Sequence, residues 1–179
     1  MDPSNVLLMA KAAPKMQTVI ADYLVNELDC LFEPLKLSDS FLRSMADSNV
    51  DSTEDMKDVG GIELAFTGIR TKSGALNTMI LNVGGEDLQK FKGKNGFTAN
   101  LCDHISREVS IDLSKLELGR VRSELFSMGS DGRVRFSSLM SYRGNPEDFG
   151  DDRVSIWMVL SSLLSEASNS AGELSASKQ

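Results

Sequence analysis

The chain has 179 residues, of which 41% are hydrophobic and 25% charged, and its formal net charge is -7. This composition is typical of a soluble globular domain and excludes the membrane-spanning and fibrous classes. The negative charge argues against binding nucleic acid by bulk electrostatics, because neutralising phosphates requires an excess of Lys and Arg.

Two features predict a cytosolic protein. Cys30 and Cys102 are too few for a disulfide framework, which favours a reducing compartment. Asp2 stands where a signal peptide needs positive charge, and the apolar run 6–10 is too short for a signal or a membrane span. We therefore expect a cytoplasmic protein, of its own cell or of a host cell, that does not bind a membrane.

Residues 1–13 contain four consecutive large apolar residues: Val6, Leu7, Leu8 and Met9. Two interpretations remain open, a short helix packed on its own domain and an exposed segment that docks on a partner. The packed helix is favoured, since exposed apolar runs are uncommon in soluble monomers.

The clearest periodic pattern lies between Lys15 and Phe32. Its apolar residues recur at the three- and four-residue spacing of one helical face: Met16, Val19, Ile20, Tyr23, Leu24, Leu28 and Leu31. Pro14 suits the first turn of a helix, and Pro34 disfavours helical geometry at Glu33. We expect this helix to be the buried centre of the fold.

A second helix is predicted to begin after Ser38 as N-cap and to end near Asp47. The acidic stretch 47–58 then predicts a solvated loop. Its side-chain oxygens match the spacing of a calcium loop, but Ser52 stands where Gly is needed and Asp58 where Glu is needed, so calcium is not favoured.

Two hairpins predict an antiparallel sheet. Residues 61–70 alternate as a strand, and residues 76–83 are apolar on both faces, which predicts a central strand. The second hairpin is predicted to run over 120–128, to turn at 129–132 and to return over 133–142.

Three further helical segments complete the pattern. One turn is predicted over 86–91, and Thr98 is the predicted N-cap of the next helix. The helix predicted over 154–164 is apolar around most of its circumference, which implies burial on two sides, either within the domain or against a partner. Residues 166–179 form a predicted disordered tail.

No catalytic, cofactor or metal residue is predicted. His104 is the only histidine, no nucleophile is positioned beside it, and one His with two Cys gives no zinc spacing. No GxGxxG or P-loop pattern is present. We therefore expect no cofactor and no enzyme activity.

The second hairpin carries a set of candidate anion- or RNA-binding residues: Arg120, Arg122, Arg133 and Arg135. No aromatic residues are interleaved with them as a single-strand binder requires, and the whole chain is acidic. A solvated sheet face is the favoured interpretation.

The element order predicts one α+β domain over residues 14–165, with an antiparallel sheet of four to five strands and helices packed on one face. In element order, size and acidity the chain resembles the small acidic chaperones of type III secretion. That resemblance implies a compact α+β homodimer that holds a segment of another protein.

The leading hypothesis is a non-enzymatic protein-binding module, of the adaptor, chaperone or inhibitor type, that binds another protein or a second copy of itself as a homodimer. The alternatives are an assembly protein of a virus or large particle, and an RNA-binding protein. The candidate partner-binding residues are Val6, Leu7, Leu8, Met9, Ile156, Trp157, Leu160 and Leu163.

Overall fold

The computed structural model describes residues 6–30, 32–51, 60–69, 77–137 and 158–168. The chain divides into two compact units. One combines Met1–Leu35 with Ser155–Gln179, and the other is Lys36–Val154.

In the described part of the larger unit there are five antiparallel strands: β1 Ile62–Thr67, β2 Thr78–Val83, β3 Glu117–Arg122, β4 Phe126–Gly129 and β5 Val134–Phe136. They form one sheet in the order β2-β1-β3-β4-β5. Alternation along β1 buries Ile62, Leu64 and Phe66 on one face, as predicted. The predicted α+β fold with an antiparallel sheet is confirmed.

Two strand predictions are wrong. Residues 76–83 do not form a central strand, because β2 lies at the edge of the sheet and Ile80 is 50% exposed. The predicted strand 120–128 divides into β3 and β4, because the chain reverses between them. The Ser123 N–H donates to the carbonyl oxygen of Phe126 at 2.8 Å and closes this turn.

The turn predicted at 129–132 is confirmed. The Gly132 N–H donates to the carbonyl oxygen of Gly129 at 3.0 Å, and β4 pairs with β5 across the turn. Gly132 has a φ of 77°, a left-handed conformation that glycine adopts without steric cost. Beyond residue 137, the predicted return strand lies outside the described residues.

Helix α2, Asp39–Asp51, packs against β3. Ser38 is its N-cap as predicted, since its Oγ accepts the Phe41 N–H at 3.1 Å. The helix continues four residues past its predicted end at Asp47. Its buried side chains include Phe41, Leu42, Met45 and Val50.

Helix α4, Phe97–Val109, packs against α2, but its predicted cap is wrong. Gly96 occupies the N-cap position with a φ of 89°. The Thr98 N–H donates to Oδ1 of Asp47 at 2.7 Å, so a carboxylate from α2 caps this helix. Asp47 is the first side chain of the calcium-loop pattern, and residues 52–58 of that pattern lie outside the described residues.

Short helical turns connect these elements. Helix α3, Gly85–Leu88, and the 3-10 turn Gln89–Phe91 confirm the turn predicted over 86–91. A second 3-10 turn, Leu113–Lys115, leads into β3.

The smaller unit contains α1, Pro14–Leu28, which begins at Pro14 as predicted. It ends before Pro34, because Asp29 adopts a left-handed φ of 51°. The prediction that this helix is the buried centre of the fold is wrong. None of its residues is buried. All the buried apolar residues of the described chain except Val159 and Leu163 belong to Lys36–Val154.

The smaller unit also contains a helix over 158–168, here α5. It extends beyond its predicted end into the first residues of the predicted tail. Val159 and Leu163 on α5 are buried, whereas Met158 and Leu164 are exposed. Residues 169–179 lie outside the described residues.

Candidate interaction surfaces

An apolar stripe on α1 faces solvent. Met16, Val19 and Tyr23, at positions i, i+3 and i+7, are 53%, 58% and 57% exposed. Ile20 and Leu24 on the adjoining side of the helix are half-buried. The sequence pattern identifies these residues as one face but assigns that face to the core. Periodicity shows that a helix is amphipathic and does not show what covers it.

The N-terminal candidates form no helix, so the prediction of a short packed helix is wrong. Val6 is 84% exposed, and Leu8 and Met9 are each 49% exposed. Leu7 is half-buried. This segment therefore fits the docking interpretation, and its role in binding a partner stays a prediction.

The C-terminal candidates are placed differently. Leu163 is 1% exposed and therefore contributes to the interior. Leu160 is half-buried. Ile156 and Trp157 lie outside the described residues.

Two of the four candidate arginines are engaged with carboxylates. The Arg120 Nη2 lies 2.8 Å from Oε1 of Glu63 on the neighbouring strand β1. The Arg133 Nε lies 3.3 Å from Oδ2 of Asp131 in the preceding turn. Opposite charges in these pairs reduce the positive potential that the sequence pattern suggests.

The other two arginines lie on one face of the sheet. Arg122 of β3 and Arg135 of β5 are both directly opposite Ser127 of β4. Both arginines are exposed. Residues directly opposite each other project from the same face of a sheet. Because Arg120 and Arg133 are paired with carboxylates, Arg122 and Arg135 are the two candidates that remain for an anion. RNA or anion binding by this pair stays a prediction.

Arg43 joins α2 to the sheet. Its Nε donates to Oδ2 of Asp39 at 2.7 Å, and its Nη2 donates to the carbonyl oxygen of Leu116 at 3.0 Å. The guanidinium lies 5.6 Å from the centroid of the Phe66 ring. Burial alone would lower the pKa of Arg43, but the hydrogen bond and attraction to Asp39 outweigh it and raise that pKa.

Cys102 on α4 is buried next to this guanidinium, and the Arg43 Nη1 donates to its Sγ at 3.6 Å. Burial raises the pKa of the Cys102 thiol, and the hydrogen bond from Arg43 only partly opposes that rise. The raised pKa favours the neutral thiol, whereas nucleophilic chemistry needs the thiolate. Cys102 therefore contributes to packing.

His104, also on α4, is half-buried, with its ring centroid 5.2 Å from that of Phe91. Within the described part of the chain, no hydrogen bond joins it to a Ser, Cys or Asp side chain. The same residues contain no group of three His, Cys, Asp or Glu side chains that could hold a metal ion. No helix in the described ranges has the length and apolarity needed to cross a membrane.

An α+β fold with an exposed apolar stripe on α1 has the features of a protein that binds other proteins. The model of the centromere protein L (CENP-L) family matches residues 6–171. The chain therefore belongs to the CENP-L family. Among curated proteins, none matches it.

Family membership agrees with a non-enzymatic component of a centromere protein complex that contacts other proteins. It corrects the expected localisation. A centromere protein is associated with chromatin in the nucleus, so the prediction of a cytoplasmic protein is wrong. The match supports neither a secretion chaperone nor a virus assembly protein, and it does not test the predicted homodimer.

Proposed function

We propose that this chain is a non-catalytic subunit of a centromere protein complex and that the α1 stripe of Met16, Val19 and Tyr23 binds another protein of that complex. The family match over residues 6–171 is the observation that supports a role in such a complex. The exposure of the stripe supports its location.

The spacing of the stripe suits a helix that lies in a hydrophobic groove, where residues at i, i+3 and i+7 act as anchors. Each of these side chains is 53–58% exposed, so a partner can remove about half of its surface from water. That burial contributes roughly 1 kcal/mol for each side chain. Tyr23 adds a large side chain with few rotatable bonds, a type enriched at the energetic centres of interfaces.

The test is affinity purification of a tagged chain from nuclei, with co-purified centromere proteins identified by mass spectrometry. We expect the double variant Val19→Asp/Tyr23→Asp to lose at least one centromere protein that the unmodified chain captures. Burying a carboxylate without a partner opposes binding. Because neither residue is buried in the chain itself, thermal unfolding should change little.

The matched control is Val25→Asp. Val25 is apolar and 45% exposed, and it is two residues from Tyr23, about 160° away around the helix. This variant should keep all the centromere proteins. If the double variant retains every centromere protein that the unmodified chain captures, the α1 stripe is not the binding surface. If the unmodified chain captures no centromere protein, the proposed function itself is wrong.

A further inference from the structure

The charged residues around the α1 stripe differ between its two ends. Residues 6–21 contain two lysines and no carboxylate, whereas residues 22–33 contain four carboxylates and no Lys or Arg. All six charged side chains are exposed: Lys11, Lys15, Asp22, Glu27, Asp29 and Glu33. The stripe therefore runs from a positive end to a negative end.

Two of these charges lie next to the stripe itself. Lys15 directly precedes Met16, and Glu27 lies one turn after Tyr23 on the same side of the helix. At 1.5 Å per residue, Lys15 and Glu27 are about 18 Å apart along the helix axis. A partner that covers the whole stripe therefore also meets both of these charges.

These charges do not compensate the dipole of α1. The N-terminal end of a helix carries partial positive charge, and its C-terminal end carries partial negative charge. The first turn of α1 contains no acidic residue and its last turn no basic residue. Lys15 adds to the positive end, and Glu27 and the C-cap Asp29 add to the negative end. Because this arrangement is unfavourable to α1 alone, the folding of the helix does not explain it.

We propose that the groove that receives the α1 stripe is lined by an amphipathic helix of another centromere protein, antiparallel to α1, with an excess of Lys and Arg near its N-terminus. The inference rests on the proposed function and specifies the chemistry of the partner. The side-chain ridges of one helix fit the grooves between those of another.

The direction of the partner helix follows from the charges. In an antiparallel arrangement, the positive N-terminal end of the partner helix lies beside Glu27 and Asp29. Its negative C-terminal end then lies beside Lys15. A parallel helix would instead place like ends of the two dipoles together, and the charges of α1 would increase that repulsion.

A second copy of this chain fits the stripe less well. Each copy brings two lysines and four carboxylates in residues 6–33, so two copies together would leave four carboxylates uncompensated. The net charge of -7 on each chain adds to the repulsion. A lipid surface also fits poorly, because helices that lie on membranes carry Lys and Arg along their polar faces.

The test locates the partner residues that face each end of the stripe. A photoactivatable amino acid replaces Met16 in one version of the 179-residue chain and Asn26 in another, and both are irradiated in nuclear extract. We expect both positions to cross-link to one helix of one centromere protein, with Asn26 reacting nearer the N-terminus of that helix. Mass spectrometry of the cross-linked peptides gives this order. The same amino acid at Val25, on the opposite side of α1, should not cross-link to that helix.

Charge reversal gives a second measurement. Glu27→Lys should lower the yield of the Met16 cross-link about fivefold, and by less at high salt, which screens exposed charges. A cation in the last turn is favourable to the dipole of α1, so unfolding of α1 would not explain the loss. The matched control is Glu108→Lys at an exposed position of α4, which changes the net charge equally and should keep the yield unchanged.

Four results would overturn the inference: cross-links to a strand or loop, the opposite order along the partner helix, cross-links only to a second copy of this chain, or equal yields for Glu27→Lys and Glu108→Lys. The proposed function is decided separately, by the proteins that co-purify with the unmodified chain and with Val19→Asp/Tyr23→Asp. If that double variant loses a centromere protein while any of the four results holds, the proposed function stands and this inference is wrong. If the unmodified chain captures no centromere protein, both are wrong.

Discussion

Asp47 shows how one side chain can connect two helices that are far apart in the sequence. The first N–H groups of a helix have no hydrogen-bond partner within that helix. In the first turn of α4, the Thr98 N–H donates instead to the carboxylate of Asp47 on α2. A negative charge at this end of α4 is also favourable to the helix dipole. The contact joins residues 51 positions apart.

We expect Asp47→Ala to lower the free energy of unfolding by about 1–2 kcal/mol, the usual cost of losing an N-cap. Urea denaturation followed by circular dichroism measures this change. The control is Asp51→Ala at the exposed C-terminal end of α2, where a negative charge opposes the helix dipole and its removal should cost nothing. Equal losses in the two variants would contradict the capping role.

At the scale of single elements, the strands β1 and β2 differ in burial although both are rich in apolar residues. β1 lies between β2 and β3, and Leu64 in it is fully buried. β2 lies at the edge, where Ile80 is 50% exposed. A continuous apolar run therefore does not identify a central strand, because an edge strand can show the same residues.

Alanine substitutions should separate these two environments. We expect Leu64→Ala to lower the free energy of unfolding by about 2–5 kcal/mol, through lost burial and the cavity that remains. Ile80→Ala should cost less than about 1 kcal/mol, because half of that side chain already contacts solvent. Chemical denaturation of the two variants under the same conditions provides the comparison. A loss at Ile80 as large as that at Leu64 would place β2 in the interior.

At the scale of the whole molecule, the buried apolar residues that the structure describes lie in the larger unit, apart from Val159 and Leu163. Buried apolar residues extend from Leu37 to Met128 within Lys36–Val154. A unit of this size with its own core should fold independently. The helix with the most regular apolar pattern, α1, lies outside it.

We expect the fragment 36–154 to unfold in one cooperative transition in urea. Circular dichroism is the suitable probe, because the only tryptophan, Trp157, lies outside the fragment. The 179-residue chain is the reference, and its far-UV spectrum should contain additional helix. A fragment that unfolds gradually, with no transition, would show that the larger unit depends on the rest of the chain.

Much of the fold follows from local chemistry. Pro14 at the start of α1, Ser38 as the cap of α2 and the glycine turn ending at Gly132 are determined by backbone geometry or by hydrogen bonds over a few residues. Such interactions are visible in the sequence because the residues that make them are neighbours in it. The alternation that buries Leu64 and Phe66 is also local, with a period of two residues.

The candidate sites were less predictable from the sequence. The contact between α4 and the turn before it depends on Asn100 reaching the carbonyl oxygen of Phe91 and on the space left at Gly93. The placement of Arg122 and Arg135 on either side of Ser127 follows from the strand register and not from the sequence.

The sequence by itself determined the α+β class, most helix starts, the turns and the amphipathic character of α1, because these depend on interactions between residues close in the chain. Only the tertiary structure decided that α1 exposes its apolar stripe, that β2 is an edge strand and that Asp47 caps α4. Each of these three features depends on which distant segments of the chain pack together. That packing is determined by the burial of apolar side chains from the whole chain, and a local sequence pattern does not show it.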